Sequence, residues 1–241
     1  MRTPVCLGVS LAIAAASPAA AQGTAASAET RARIENCRQS ESVILRIEAC
    51  TRLIGSEDRG GANPAWAFTN RALAYETVGR VERAFSDYNT ALLLDPGFAV
   101  GYYNRGNLNA RMGNIEAAID DHSQAVELAP DYVEAWFNLA KDHEDDGDLE
   151  AAVEAYGRAL EVDPSFTAAL TSRAAALCEL GRVEASIADR LQLLNTGFFS
   201  ARDLQQFLKE RGYYSAALDG IFGRGSRAAL RAWTEAGCPR G

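Results

Sequence analysis

Proline is scarce, with seven in 241 residues. Proline interrupts helices, so its scarcity beside abundant alanine favours helices over strands. Aromatic residues are modest at 8%. Histidine is nearly absent, with only His122 and His143. No cysteine pair has C-x-x-C spacing, which argues against structural zinc and dithiol redox catalysis. No nucleophile elbow or phosphate-cradling glycine loop occurs. No catalytic residue, metal site or cofactor is therefore expected. Beyond the first residues, no segment is apolar enough to cross a membrane. A net charge of −8 argues against nucleic acid as a partner.

What is present begins with an export pattern. Met1-Arg2 gives a short basic start, and Val5 to Ala16 is an apolar run. Pro18 breaks it, and Ala19-Ala20-Ala21 supplies an A-x-A cleavage site before Gln22. This is the layout of a secretory signal over residues 1–21. The expected location is outside the cytosol, in a bacterium the periplasm. Residues 22–29 read as a flexible leader. Cleavage removes Cys6 and leaves Cys37, Cys50, Cys178 and Cys238. An even number in an oxidising compartment suggests two disulfides, with three possible connectivities. Cys37–Cys50 is the favoured first pair. A stretch of about 16 Å from Cys37 to Ser42 could fold back to meet Cys50, about three helical turns on. Cys178–Cys238 would then be the second pair.

The middle of the chain repeats every 34 residues. Asn70, Asn104 and Asn138 fall on the period, as do Gly79, Gly113 and Gly147. Ala84, Ala118 and Ala152 follow, then Ala91, Ala125 and Ala159, and finally Pro96, Pro130 and Pro164. Each glycine suits the turn between two helices, the alanines suit helix contacts, and each proline ends a second helix. Phe68, Tyr102 and Trp136 open the first helices. The complete repeats are 65–98, 99–132 and 133–166. A degenerate repeat at 167–198 keeps Gly181 but carries Ser186 at the small position. Residues 22–64 hold the leader and a degenerate first repeat, with a helix over 41–54 and a loop over 55–64.

This pattern is similar to the tetratricopeptide-repeat family, whose repeats are pairs of antiparallel helices stacked into a solenoid. The resemblance implies a concave face lined by first helices. By register that face carries Asn70, Tyr103, Asn104, Asn107, Phe137, Asn138 and Lys141. Asparagines beside aromatics suit an extended peptide. Equally, Asn70, Asn104 and Asn138 can stabilise the solenoid itself. The lysine pair with which some members clamp a terminal carboxylate is missing, so that ligand is not expected. His122 and His143 occupy register positions of core aromatics and read as packing residues. The acidic run Asp142 to Asp148 alternates like a calcium loop, but its twelfth position is Val153. It reads as a solvated acidic turn.

Charge divides the chain. Residues 65–198 hold 10 basic and 22 acidic residues, a net of −12, whereas 199–241 hold 7 and 4, a net of +3. The second segment reads Asp203-Leu204-Gln205-Gln206-Phe207-Leu208, then Gly212-Tyr213-Tyr214, then Asp219-Gly220-Ile221-Phe222-Gly223. It continues with Ser226-Arg227-Ala228-Ala229-Leu230 and Trp233. This resembles the peptidoglycan-binding family found beside many cell-wall hydrolases, with Ser226, Thr234 and Ala216 departing from its pattern. The resemblance implies a small three-helix unit over 199–241, in which Ser226 caps a helix. Arg202, Arg224, Arg227 and Arg231 are candidates to meet wall carboxylates, and Tyr213, Tyr214 and Trp233 to stack on sugars.

The expected whole is all-α: a repeat solenoid followed by that small unit. The expected role is a non-enzymatic periplasmic adaptor. It would hold a protein or peptide partner of the cell envelope on the solenoid and peptidoglycan on the terminal unit. The alternatives are a protein-binding scaffold whose terminal unit is a structural cap, and an accessory subunit of a cell-wall enzyme.

Overall fold

The computed structural model describes residues 27–57 and 63–238, so the export pattern at 1–21 lies outside the described residues. The described residues form twelve α-helices and no strand. They are α1 (Ala28–Gln39), α2 (Val43–Ile54), α3 (Pro64–Thr77), α4 (Val81–Leu94), α5 (Ala99–Arg111), α6 (Ile115–Leu128), α7 (Val133–Asp146), α8 (Leu149–Val162), α9 (Thr167–Glu179), α10 (Val183–Asn195), α11 (Ala201–Glu210) and α12 (Arg224–Glu235). The first ten pack as five successive hairpins, each second helix also touching the next first helix.

Register dictates the hairpin. Gly79, Gly113, Gly147 and Gly181 sit in the inter-helix turns at φ 70°, 78°, 89° and 68°. A side chain at that φ is strained, so only glycine turns the chain there without cost. Ala84, Ala118, Ala152, Ala91, Ala125 and Ala159 are fully buried. A larger side chain at any of them would force the helices apart, at about 1–3 kcal/mol. Ser186 takes the small position of the fourth repeat and satisfies its hydroxyl by donating to Ala174 O at 2.7 Å. Tyr88, His122 and Tyr156 fill one equivalent core position in successive repeats, each fully buried.

The N-terminal hairpin corrects two expectations. Residues 28 and 29 belong to α1, which Ser27 caps through Thr30 N at 3.0 Å. Cys37 is helical, not part of an extended stretch. It meets Cys50 because α1 and α2 run side by side, Cα to Cα 4.7 Å, with the sulfurs bonded at 2.09 Å. Cys178 and Cys238 form the second disulfide, at 2.00 Å, tying the chain after α12 to α9.

The C-terminal unit has two described helices rather than three. Gly212, at φ 80°, ends α11, and the N–H groups of Tyr213 and Tyr214 fold back onto Leu208 O. Residues 213–223 then follow a chain of turns instead of a helix. Gln205 fixes that path. Its buried Nε2 lies 2.7 Å from Asp219 Oδ1, 3.0 Å from Ile221 O, 3.1 Å from Ser226 Oγ and 3.2 Å from Tyr214 Oη. Its Oε1 accepts from Gly220 N at 3.0 Å. Ser226 caps nothing: α12 begins at Arg224, with Gly223 at its N-cap, and the Ser226 hydroxyl is buried beside Gln205. Leu204, Leu208, Tyr214, Leu230 and Trp233 form the core of the unit, against Ile187, Leu191 and Leu194 of α10.

Candidate functional site: the face of the first helices

The first helices α3, α5 and α7 are neighbours along the solenoid. Register places the expected ligand residues on them, and the structure gives most of these residues work inside the fold. Tyr103 packs against Tyr132 and His122, with ring centroids at 4.7 and 5.7 Å. Phe137 packs against Phe166 and Tyr156 at 5.2 and 5.6 Å. Asn70 donates to Trp66 O at 3.0 Å. Asn138 donates to Asn107 Oδ1 at 2.6 Å, and the same oxygen lies 3.3 Å from His122 Nε2. Of the three periodic asparagines, Asn138 thus ties α7 to α5, whereas Asn70 bonds within α3. Asn104 is half-buried with no such contact among the described residues.

Lys141 stands apart. It pairs with Glu144 one turn on and opens onto a cleft of about 380 Å³ between α7 and α9. Thr171 and Ser172 give the cleft hydroxyls, and Leu149, Ala175 and Ala176 give it an apolar lining. Such a mixture can hold an extended peptide: hydroxyls and a cation meet backbone groups, and the small apolar residues leave room for a side chain.

Register did not reveal the polar links that hold the repeats. Arg71 grips Asp87 with two bonds of 2.7 and 2.8 Å, and Arg105 grips Asp121 at 2.6 and 2.9 Å. Arg173 and Asp189 repeat the pair at 2.6 and 2.8 Å. These hydrogen bonds hold the Arg71 and Arg105 guanidiniums above their ordinary pKa, against the opposing effect of burial. The third repeat has Leu139 and Ala155 at the same positions, both buried. Asp142, read from sequence as part of a solvated turn, is instead buried in α7 beside His122. Residues 142–146 are helical, so their carboxylates do not form a calcium loop; Asp148 caps α8 through Ala151 N.

This succession of helical hairpins is the decisive geometry. Residues 67–165 are tetratricopeptide repeats. The tetratricopeptide-repeat family models match residues 67–98 and 98–165. Among solved structures, MamA is similar at 22% identity and TM-score 0.59, over 66% of this chain and 91% of that one. MamA from Desulfovibrio magneticus RS-1 is similar at 18% identity and TM-score 0.55, over 71% and 95%. The tetratricopeptide-repeat protein YrrB is similar at 20% identity and TM-score 0.59, over 78% and 92%. No curated protein matches the sequence. These likenesses concern the fold.

In the C-terminal unit the wall-binding candidates separate into two groups. Tyr214 and Trp233 are buried in the core, and Tyr213 is half-buried against it. Arg231 pairs with Glu184 of α10, Nη2 to Oε2 at 2.9 Å, and so links the unit to the last repeat. Arg227 lies over the Phe222 ring at 5.0 Å. Arg202, Arg224 and Arg227 are exposed. The candidates therefore form no single cluster of aromatics and cations.

Proposed function

We propose that the protein is a scaffold that holds an extended segment of a partner protein on the face of its first helices. The observation that carries this reading is the cleft between α7 and α9, where Lys141, Thr171 and Ser172 border small apolar residues. YrrB, which shares the fold, is described as having an unusual peptide-binding site. The acidic balance of residues 65–198 suits a partner segment that is neutral or basic.

The reading extends to the compartment and to the wall. Two bonded cysteine pairs fit an oxidising compartment, in keeping with the export pattern at 1–21. The Asp219 to Leu230 motif and the positive balance of the terminal unit support peptidoglycan as its ligand, with exposed Arg202, Arg224 and Arg227 as the contacts. The adaptor would then join a protein partner to the cell wall without chemistry of its own.

Photo-crosslinking from position 172 in the exported protein tests the first part. A specific partner should be captured, and Lys141→Ala or Ala175→Arg should abolish capture while the helical signal is retained. Capture that survives Ala175→Arg would overturn the cleft as the site. Sedimentation with purified sacculi tests the second part: the mature chain should sediment at low salt, and a truncation after Gly197 should not. A mature chain that stays in the supernatant at low salt makes the terminal unit a structural cap.

A further inference from the structure

Arg190, on α10, differs from the arginines of the solenoid that pair with aspartates. Arg71, Arg105 and Arg173 each hold an aspartate with two short bonds. The aspartate beside Arg190 is Asp189, and both of its oxygens are already taken by Arg173. Arg190 Nη2 has only weak acceptors, Ala174 O at a long 3.5 Å and the disulfide sulfur of Cys238 at 3.4 Å. Its Nε is buried without a partner among the described residues. Desolvation pulls its pKa down to about 10, against the opposing pull of Asp189. A desolvated cation with unmatched donors is costly, and a carboxylate would relieve that cost with charge-assisted bonds.

Next to this cation lies an apolar pocket of about 260 Å³, lined by Arg190, Phe199, Asp203, Leu204, Phe207 and Trp233. The Arg190 guanidinium lies over the Trp233 ring at 4.6 Å, and the Phe207 ring meets Trp233 edge-on at 5.0 Å. Asp203 is engaged elsewhere, its Oδ2 accepting from Ser200 N and Oγ at 2.8 and 2.7 Å. The volume falls below the range of about 300–1,000 Å³ usual for drug-sized ligands, which limits the occupant to one ring or a short aliphatic chain.

We propose that this pocket, between the last repeat and the C-terminal unit, binds a carboxylate carried on a small apolar body, with Arg190 as the anion contact and Phe199, Phe207 and Trp233 around the apolar part. The pocket is separate from the face of the first helices, so the proposal does not rest on the scaffold reading. The same chemistry is offered by a free aromatic acid and by the last residue of a peptide ending in phenylalanine.

The test uses the full mature chain with both disulfides intact and follows the Trp233 indole N–H signal by NMR. Titration with 4-phenylbutyrate should shift that signal saturably, and the uncharged 4-phenylbutyramide should bind at least about tenfold more weakly. Acetyl-Gly-Gly-Phe, compared with its C-terminal amide, distinguishes the sources. Tighter binding than phenylbutyrate assigns the pocket to chain ends; binding of phenylbutyrate alone assigns it to free acids. In Arg190→Gln the difference between acid and amide should vanish. Because the acid–amide comparison is made on the unaltered protein, it stands even where that variant folds poorly. Equal binding of acid and amide, or no saturable shift up to about 10 mM, would overturn the proposal.

Discussion

His122 on α6 and Asp142 on α7 meet across a repeat boundary, Nδ1 donating to Oδ2 at 2.5 Å, with both side chains almost wholly buried. Neither belongs to the repeat pattern. His122 stands where Tyr88 and Tyr156 stand, and Asp142 stands where Leu108 and Ala176 stand. Gly106 makes room for the imidazole: a Cβ there would come within 2.8 Å of the ring. Two polar exceptions in adjacent repeats thus satisfy each other, and Asn107 Oδ1 approaches the far ring nitrogen.

Removing one partner should therefore be far worse than removing both. Asp142→Ala should cost about 3 kcal/mol, because it leaves a buried imidazole unmatched. The double variant His122→Tyr with Asp142→Leu restores the register residues and should recover most of that loss. Urea denaturation of the three proteins measures it. A double variant no more stable than Asp142→Ala would show that the pair does more than replace ordinary packing.

The same logic applies within a repeat. Asp121 accepts from Arg105 twice and from Asn109 once. Asp121→Ala strands three N–H donors, two of Arg105 and one of Asn109, and should cost about 2–3 kcal/mol. Arg105→Leu with Asp121→Ala copies the Leu139 and Ala155 arrangement of the third repeat. It leaves only Asn109 Nδ2 without its acceptor and should recover most of that loss. Thermal denaturation decides, and a double variant as unstable as the single one contradicts the interchange.

These cases show what the sequence could and could not tell. The period of 34 exposed the hairpins because glycine, alanine and proline each answer a local backbone demand that recurs in every repeat. It marked His122 as a core position. It could not pair His122 with Asp142, since register identifies which positions are buried but not which two exceptions meet. Nor could it show that Tyr103 and Phe137, on the expected helices, pack their rings against other side chains of their own repeats. In the terminal unit, the i, i+3, i+4 spacing of Leu204, Phe207 and Leu208 marks one helix face. The path of 211–223 was not, because it depends on a single buried amide.

That amide gives a further prediction. Gln205→Leu keeps the volume but leaves Gly220 N without its acceptor and takes one donor from the Ile221 carbonyl, which keeps the Gly223 N–H at 2.8 Å. A loss of about 2 kcal/mol is expected, concentrated in residues 211–223. Hydrogen exchange should show faster exchange at Gly220, with little change in α3 to α8. Unaltered exchange at Gly220 would contradict the role given to Gln205.

Three exposed carboxylates around this unit titrate low. Hydrogen bonds from Ser200 hold Asp203 below its ordinary 3.8. The bond from Gln205, aided by Ile221 N–H, does the same for Asp219. The bond from Arg231 holds Glu184 below 4.5. A carboxylate with a depressed folded pKa stabilises the fold above its unfolded value and loses that contribution as pH falls through the folded one. The unit should hold its contacts above about pH 4.5 and loosen below about pH 4. Carbon-13 titration should place all three midpoints below those ordinary values, and Ser200→Ala should return Asp203 upward. Midpoints at or above the ordinary values would refute the assignment.

The two disulfides close loops of very different length, 13 and 60 residues in sequence separation. By the loop-entropy estimate the shorter should contribute about 3 kcal/mol and the longer about 4 kcal/mol. Their structural effects should differ more than those numbers. Cys37–Cys50 joins the two helices of one terminal hairpin, whereas Cys178–Cys238 anchors the end of the terminal unit to α9 and holds Cys238 at φ 48°. Cys37→Ser with Cys50→Ser should loosen α1 and α2 and leave the Trp233 environment unchanged. Cys178→Ser with Cys238→Ser should alter that environment, because Trp233 lies over Arg190, which itself touches Cys238. Non-reducing peptide mapping of the exported protein should recover Cys37 with Cys50 and Cys178 with Cys238. Any crossed pairing would overturn both assignments, and four free thiols would also remove the support for an oxidising compartment.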